Sequence, residues 1–275
     1  MASGDMTPFQ DNAVTICLLI NFLDGFDVLA IAFAAPSIAA DWSVAPTALG
    51  IIFSAGLAGM VVGALFLSPY ADRIGRRPLI LICLAIIGAG MLGSAIADNV
   101  TQLVAWRLLT GLGVGGMLAS LTTMVAEYSS DRRRQLAISV LQSGYPVGAI
   151  IAGIVSVWLL DSHGWRSIFV VGGVLSLAMI PLVYWGLPES LQFLLNRQPG
   201  GALEKVNSIL RRMRRDEVSK LPEQRRRSHP KGTMFTIFTS QYLGRTLAIW
   251  LAYLVTLSAW YFVTNWTPKI LVDAG

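Results

Sequence analysis

Residues 47–97 read TALGIIFSAGLAGMVVGALFL, then SPYADRIGRR, then PLILICLAIIGAGMLGSAIA. Two uncharged apolar runs of 21 and 20 residues flank a short segment that holds every charge in the stretch. An α-helix needs about 20 mostly apolar residues to cross a hydrocarbon core about 30 Å thick, and each run has that length. Working outward, similar runs recur at 12–36, 101–127, 135–160, 165–187 and 242–266, giving seven predicted spans with 47–67 and 78–97. Five interiors carry no charge; the first span holds Asp24 and Asp27, and the fourth holds Arg107. Hydrophobic residues make up 54% of the chain and charged residues 13%, against about 25% charged in an average soluble domain. A water-soluble globule is therefore excluded. The alternation of a β-barrel is absent, so the expected class is an all-α membrane protein.

The first span is expected to be retained, because no Lys or Arg precedes Arg73 and its apolar run exceeds the roughly 7–15 residues of a secretion signal. Cys17 and Cys83 fall inside spans, where free cysteine behaves as a small hydrophobe. His163 and His229 lie in loops without a second ligand nearby, which points away from a metal site. No cofactor is implied, and no constellation of nucleophile and base supports an enzyme.

Positive charge sets the expected topology. Arg73, Arg76 and Arg77 sit between spans two and three, Arg132, Arg133 and Arg134 between four and five, and a further 12 Lys and Arg between Arg197 and Arg245. The opposite loops hold only Arg166 and Lys269. The positive-inside bias then places the N-terminus and the even-numbered connections in the cytoplasm. The arginine runs flank membrane spans, where anionic lipid and topology account for them and no nucleic-acid partner is needed.

From Pro188 to Ser240 the composition shifts. Leu203, Val206, Leu210 and Met213 recur at helical spacing among basic residues, which predicts an amphipathic helix on the cytoplasmic surface. The run 225–232 has no apolar face and reads as a linker. The expected division is thus a six-helix bundle over 1–187, a cytoplasmic central loop over 188–240, and over 241–275 the first helix of a second half. Six spans, a long basic loop and a seventh span match a transporter built from two six-helix halves. The chain stops at Gly275, just past the seventh span, so a second half would be needed for a complete pathway.

Within the spans, Asp24-Gly25-Phe26-Asp27 stands out, because an ionised aspartate at a helix centre costs roughly 2.5–3.5 kcal/mol on insertion scales. A spacing of three puts both carboxylates on one helix face, with Asn21 one turn earlier. That face is expected to line a polar cavity. Arg107 lies about six residues into the fourth span, about 9 Å from its outer end, and Asp27 lies about 13 Å from the outer end of the first. The two reach similar depth. Arg107 can pair with Asp27, hold an anionic substrate, or exchange between them, and a purely structural ion pair is the alternative. Gly59 with Gly63, Gly111 with Gly115 and Gly144 with Gly148 have the small-xxx-small spacing of closely packed membrane helices.

The segment Ser68–Arg77 resembles the signature loop of the major facilitator superfamily, a glycine followed by Asp-Arg-x-Gly-Arg-Arg, with Ser68 in place of the first glycine. The pattern Arg107-x-x-x-Gly111-x-Gly113 is similar to the superfamily's second motif, and Pro188-Glu189-Ser190 to a motif after its sixth helix. Asp24-Gly25-Phe26-Asp27 and Asn265-Trp266-Thr267-Pro268-Lys269 resemble the superfamily's aromatic acid:proton symporters. The resemblance implies a bacterial inner-membrane symporter of a benzoate-like anion and protons, working by alternating access. It implies that Asp24 and Asp27 are required for transport and that Asp72 serves conformational switching, with Arg73, Gly75, Arg76 and Arg77 in the same gating loop. The alternatives are a sugar, polyol or other organic acid porter on the same fold, or a non-transporting fragment acting as a receptor or assembly partner.

Overall fold

The computed structural model describes residues 6–222 and 239–274; the stretch 225–232, read from sequence as a linker, lies outside the described residues. The elements are α1 (Pro8–Trp42), α2 (Pro46–Val62), α3 (Ala71–Ile74), α4 (Arg76–Ala95), α5 (Val100–Tyr128), α6 (Arg134–His163), α7 (Arg166–Gly186), α8 (Leu191–Arg197), α9 (Ala202–Arg212) and α10 (Ser240–Ala274). No strand occurs among the described residues. Seven helices among the described residues are long and apolar enough to cross a membrane, in the order the sequence predicts. In hydrocarbon the main chain must satisfy its own hydrogen bonds, and each apolar run does so by extending into the flanking polar residues. The first helix therefore starts at Pro8 and ends at Trp42, beyond the predicted 12–36. Its start is fixed by Thr7, whose N–H and Oγ1 both donate to Gln10 Oε1, at 3.1 and 3.3 Å.

Two readings are corrected. Ser68–Arg77 is not a loop throughout: α2 continues through a π-turn at Gly63–Leu67 and a 3₁₀ turn at Ser68–Tyr70 into α3. Only Gly75 breaks the helix, at φ +104°, a conformation open to glycine. The amphipathic helix α9 also differs from its expected place on a lipid surface. It turns Val206, Ile209 and Met213 into the protein core, and leaves Leu203 and Leu210 only partly covered.

Association of the spans rests on backbone contact, because lipid is as apolar as the side chains and offers no hydrophobic drive between helices. α1 packs mainly on α6, α2 on α5, and α4 on both α5 and α7. In the α2–α5 seam a Cβ at Gly59 would strike the Leu108 carbonyl and lie 2.9 Å from Leu112 N, and a Cβ at Gly111 would strike the Gly56 carbonyl. The α1–α6 seam has the same reciprocity: Gly25 lies against the Tyr145 carbonyl and Gly148 against the Phe22 carbonyl. Such approach permits Cα–H···O contacts along both seams. α10 touches α1, and Trp266 on it meets Phe53 of α2 edge-on at 5.5 Å.

The connections segregate. The α3–α4 turn, residues 127–134 and the segment 188–222 gather at one end, where Gln10 Nε2 donates to the Tyr128 carbonyl at 2.8 Å. This is the basic end. At the other, Asp41 Oδ2 accepts from Trp165 Nε1 (3.2 Å) and Arg166 Nη1 (3.3 Å), and Trp42 packs edge-on against Trp165 at 5.4 Å. Tryptophans at this level suit a membrane interface.

Gly111→Val is expected to destabilise the protein by about 1–3 kcal/mol through overpacking of the α2–α5 seam. Gly200→Ala, where an added Cβ meets nothing within 4 Å, is expected to be neutral. Thermal unfolding followed by size-exclusion chromatography checks both.

Candidate functional site

The intramembrane polar residues come from α1 and α5. Asn21, Asp24, Asp27 and Arg107 are each at most 3% exposed, but they do not share one cavity. Asn21 Nδ2 donates to the Leu141 carbonyl on α6. Asp27 turns toward α7, where Ser176 Oγ donates to its Oδ2 at 3.0 Å and a Cβ on Gly172 would stand 2.7 Å from its Oδ1. Asp24 Oδ2 and Asp27 Oδ1 have no hydrogen-bond partner. The expectation of a single polar face along α1 is thus replaced by separate contacts with α6 and α7. The reason is that α1 is surrounded by helices, and the six residues from Asn21 to Asp27 carry the two side chains round to different neighbours.

Arg107 is close to Asp27 but does not pair with its carboxylate. Its Nη2 donates to the Asp27 main-chain carbonyl at 3.1 Å, its Nη1 points at Met91 Sδ at 3.4 Å, and its guanidinium lies 5.9 Å from the Phe169 ring centre. Among the described residues no carboxylate lies within 4.0 Å of it. Of the alternatives open from sequence, direct ion pairing is therefore not the arrangement observed. Arg107 instead borders a narrow cleft with Phe53 and Gly56 of α2, Thr110 of α5 and Asn265 of α10. Asn265 is 6% exposed, buried on a helix whose other faces are largely open.

The second group lies at the basic end. Asp72 Oδ1 stands 3.7 Å from Arg76 Nη2, and Glu127 Oε1 stands 3.8 Å from Arg76 Nε. Arg73 lies over the Tyr70 ring, and Arg77 lies over the Tyr184 ring and donates to the Tyr184 carbonyl. Glu189 holds the centre. Its Oε1 accepts from the main-chain N–H groups of Arg76 (2.9 Å), Arg77 (3.2 Å) and Ser190 (2.8 Å). It thereby caps the positive end of α4, where orphan N–H groups and the helix dipole favour an anion. A Cβ on Gly75 would overlap this carboxylate, so glycine is required there for approach as well as for φ. Ser190 Oγ donates to Glu127 Oε1 at 2.9 Å, and Tyr128 Oη to the Glu189 carbonyl at 2.6 Å.

Sequence reasoning named Pro188-Glu189-Ser190 but gave Glu189 no partner, and it passed over Glu127, Tyr128 and Ser176. Glu127 carried a usable signal, an acid at the basic end of an otherwise uncharged half-span. Ser176 carried none, being one hydroxyl in an apolar run. Glu189→Gln is expected to lower stability by about 1–2 kcal/mol, since an amide keeps the shape but loses the charge at the helix terminus. Thermal melts of the two proteins measure the difference.

The Major Facilitator Superfamily model matches residues 17–275. The gallate transporter of Pseudomonas putida is 38% identical over 272 residues, covering 97% of this chain and 60% of its own. The 4-hydroxybenzoate transporter PcaK of Pseudomonas aeruginosa is 36% identical, covering 98% of this chain and 61% of its own. The benzoate transport protein of Acinetobacter baylyi is 27% identical, with 98% and 59% covered. The chain thus spans about 60% of the length of these curated relatives. Among solved structures, the partially occluded inward-open form of the xylose transporter XylE from E. coli superposes with a TM-score of 0.65 at 22% identity, over 74% of this chain and 54% of that one. Fold, motifs and family model agree: the chain belongs to the major facilitator superfamily, and its six-helix bundle with one further helix has the architecture of that family's N-terminal half.

Proposed function

We propose that the chain forms the N-terminal part of a proton-coupled carrier of monocyclic aromatic carboxylates. The observation that carries this reading is Arg107, a permanent cation buried beside a cleft and hydrogen-bonded to a main-chain carbonyl rather than to an acid. A guanidinium binds a carboxylate through two parallel hydrogen bonds, so an aromatic acid supplies the missing anion. Asn265 on α10 faces the same cleft and adds an amide for a ring substituent. The relatives named for gallate, 4-hydroxybenzoate and benzoate support this cargo class. The cleft measures about 20 Å³, room for about one water molecule. Cargo therefore enters when α10 and α2 separate.

Asp24 and Asp27 are the proton carriers in this reading. Each is buried with an unpartnered carboxylate oxygen, and binding a proton removes the cost of holding an anion there. Asp27 also shares its main-chain carbonyl with Arg107, which links proton loading to the cargo site. Asp72, Arg73, Gly75, Arg76 and Arg77 form the gate with Glu127 and Glu189, since these contacts tie α3, α4, α5 and α8 at one end. The N-terminus and the basic end face the cytoplasm of a bacterial inner membrane. Residues 1–187 act as one rocking body, 188–240 as the central loop, and 241–275 as the start of the second half, which completes the pathway.

Uptake of labelled 4-hydroxybenzoate and benzoate by cells expressing the full-length gene, with and without a protonophore, tests the reading. Accumulation that collapses with the protonophore is expected. Preferential accumulation of xylose or a polyol would refute it. Asp27→Asn is expected to stop accumulation while leaving the protein folded, and Arg107→Lys to raise the half-saturating concentration about tenfold, the loss of about 1.4 kcal/mol. For orientation, cysteines placed at Asp98 and Lys205 are labelled with an impermeant thiol reagent on whole cells. Labelling at position 98 alone is expected, and labelling at 205 alone would invert the topology.

A further inference from the structure

Asp24 stands apart from the Arg107 cleft: it is 1% exposed, its Oδ2 has no hydrogen-bond partner, and it does not line that cleft. The residue after it brings α6 close. A Cβ on Gly25 would strike the Tyr145 carbonyl and stand 3.1 Å from Ala149 N, so α1 and α6 touch main chain to main chain at the level of the acid. The Tyr145 phenol interacts electrostatically with Asp24 and with Arg107 of α5. It is also hydrogen-bonded, side chain to side chain, to Tyr261 of α10. α10 packs on α1 and sets Trp266 against Phe53 of α2, and the tyrosine pair adds a tie to α6.

Tyr261 leads to the cleft. Four residues on, about one helical turn, Asn265 donates from Nδ2 to the Tyr261 carbonyl at 2.8 Å and lines the cleft with Arg107. A phenol has one proton to donate, and Tyr145 has two acceptors in its surroundings, the Tyr261 hydroxyl and the unfilled Oδ2 of Asp24. Hydrogen bonds to an ionised acceptor are about twice as strong as those between neutral groups. Ionised Asp24 therefore outcompetes the Tyr261 hydroxyl for the Tyr145 donor, and neutral Asp24 does not.

We infer that Tyr145 and Tyr261 are positioning residues that couple the protonation of Asp24 to the seating of α10. With Asp24 neutral, Tyr145 donates to Tyr261 and holds α10 at the cleft; with Asp24 ionised, Tyr145 turns to the carboxylate and α10 is released. Both tyrosines remain phenols throughout, and only the hydroxyl hydrogen changes acceptor. The use of this link in proton loading rests on the carrier reading above; the response of α10 to pH does not. The charged and titratable groups around it are Asp27 of α1 and Cys83 of α4 beside Asp24, and Arg107 of α5 beside Tyr145. Asp27 is thus the other acid whose ionisation the test must separate from that of Asp24.

Electron–electron distance measurement between spin labels on cysteines placed at Ile154 of α6 and Val263 of α10, both exposed, tests the inference on the full chain in nanodiscs without cargo. The native Cys17 and Cys83 are buried. In the otherwise unaltered protein the ratio of long to short separations is expected to rise about fivefold from acid to alkaline buffer, the worth of one net hydrogen bond. Tyr145→Phe and Tyr261→Phe each keep the ring and remove the bond, and both are expected to show the longer separation at either pH. Asp24→Asn, which cannot ionise, is expected to hold the shorter separation at either pH, and Asp27→Asn to keep the response. Should Tyr145→Phe fail to fold, Tyr261→Phe carries the same test. A pH response unchanged in the phenylalanine variants overturns the link, as does its absence from the unaltered protein. So does a response lost in Asp27→Asn and kept in Asp24→Asn. Failure to accumulate aromatic acids with the α10 response intact refutes the carrier reading alone, and accumulation by a protein whose α10 ignores pH refutes the link alone.

Discussion

A guanidinium that cannot shed its charge is buried in the bundle, and the surrounding helices are arranged around that constraint. Arg107 is held by the main-chain carbonyl of Asp27, by Met91 and by the face of Phe169, so α1, α4, α5 and α7 all meet at it. On the α2 side Gly56 leaves ordinary contact room, a Cβ there standing 3.9 Å from Nη2. A buried cation whose contacts are a carbonyl, a thioether and a ring is costly compared with one that is ion-paired. In the proposed carrier that cost falls when an anion arrives, giving the cleft selectivity for charge before shape.

The two glycine seams explain how such a site is carried without distortion. Backbone against backbone along α1–α6 and α2–α5 leaves little space for sliding, whereas α10 is largely open and packs less tightly on its neighbours. At the basic end the bond set is of another kind. An ion pair such as Asp72–Arg76, with its acid open to solvent and its charges 3.7 Å apart, contributes little alone, whereas the Glu189 carboxylate gathers three main-chain N–H groups and is directional. The three bonds share one carboxylate oxygen and so depend on one placement of Glu189 against the start of α4, a property that suits the proposed gate.

Much of this was legible in the sequence. Apolar runs of membrane length and the clustering of arginines fixed the number and order of spans, because insertion into lipid is a local property of composition. The acids and Arg107 were legible as exceptions inside those runs. What could not be read was which neighbour each polar side chain finds: Asp27 meeting Ser176 across 149 residues, or Glu189 capping a helix that begins at Arg76. Those contacts depend on helix rotation, which the near-uniform hydrophobicity of the spans leaves unmarked. The π-turn at Gly63–Leu67 escaped notice for the same reason, since one extra residue per turn leaves no trace in composition.

The central claim is that Arg107 holds its charge for the cargo rather than for the fold. Its most direct measurement is the ratio of equilibrium affinities for benzoate and for neutral benzamide, in the wild-type protein and in Arg107→Gln. The account expects benzoate to bind more tightly by more than about tenfold in the wild type, and the preference to vanish in the variant while benzamide binding is kept. A preference for benzoate that survives in Arg107→Gln would contradict it.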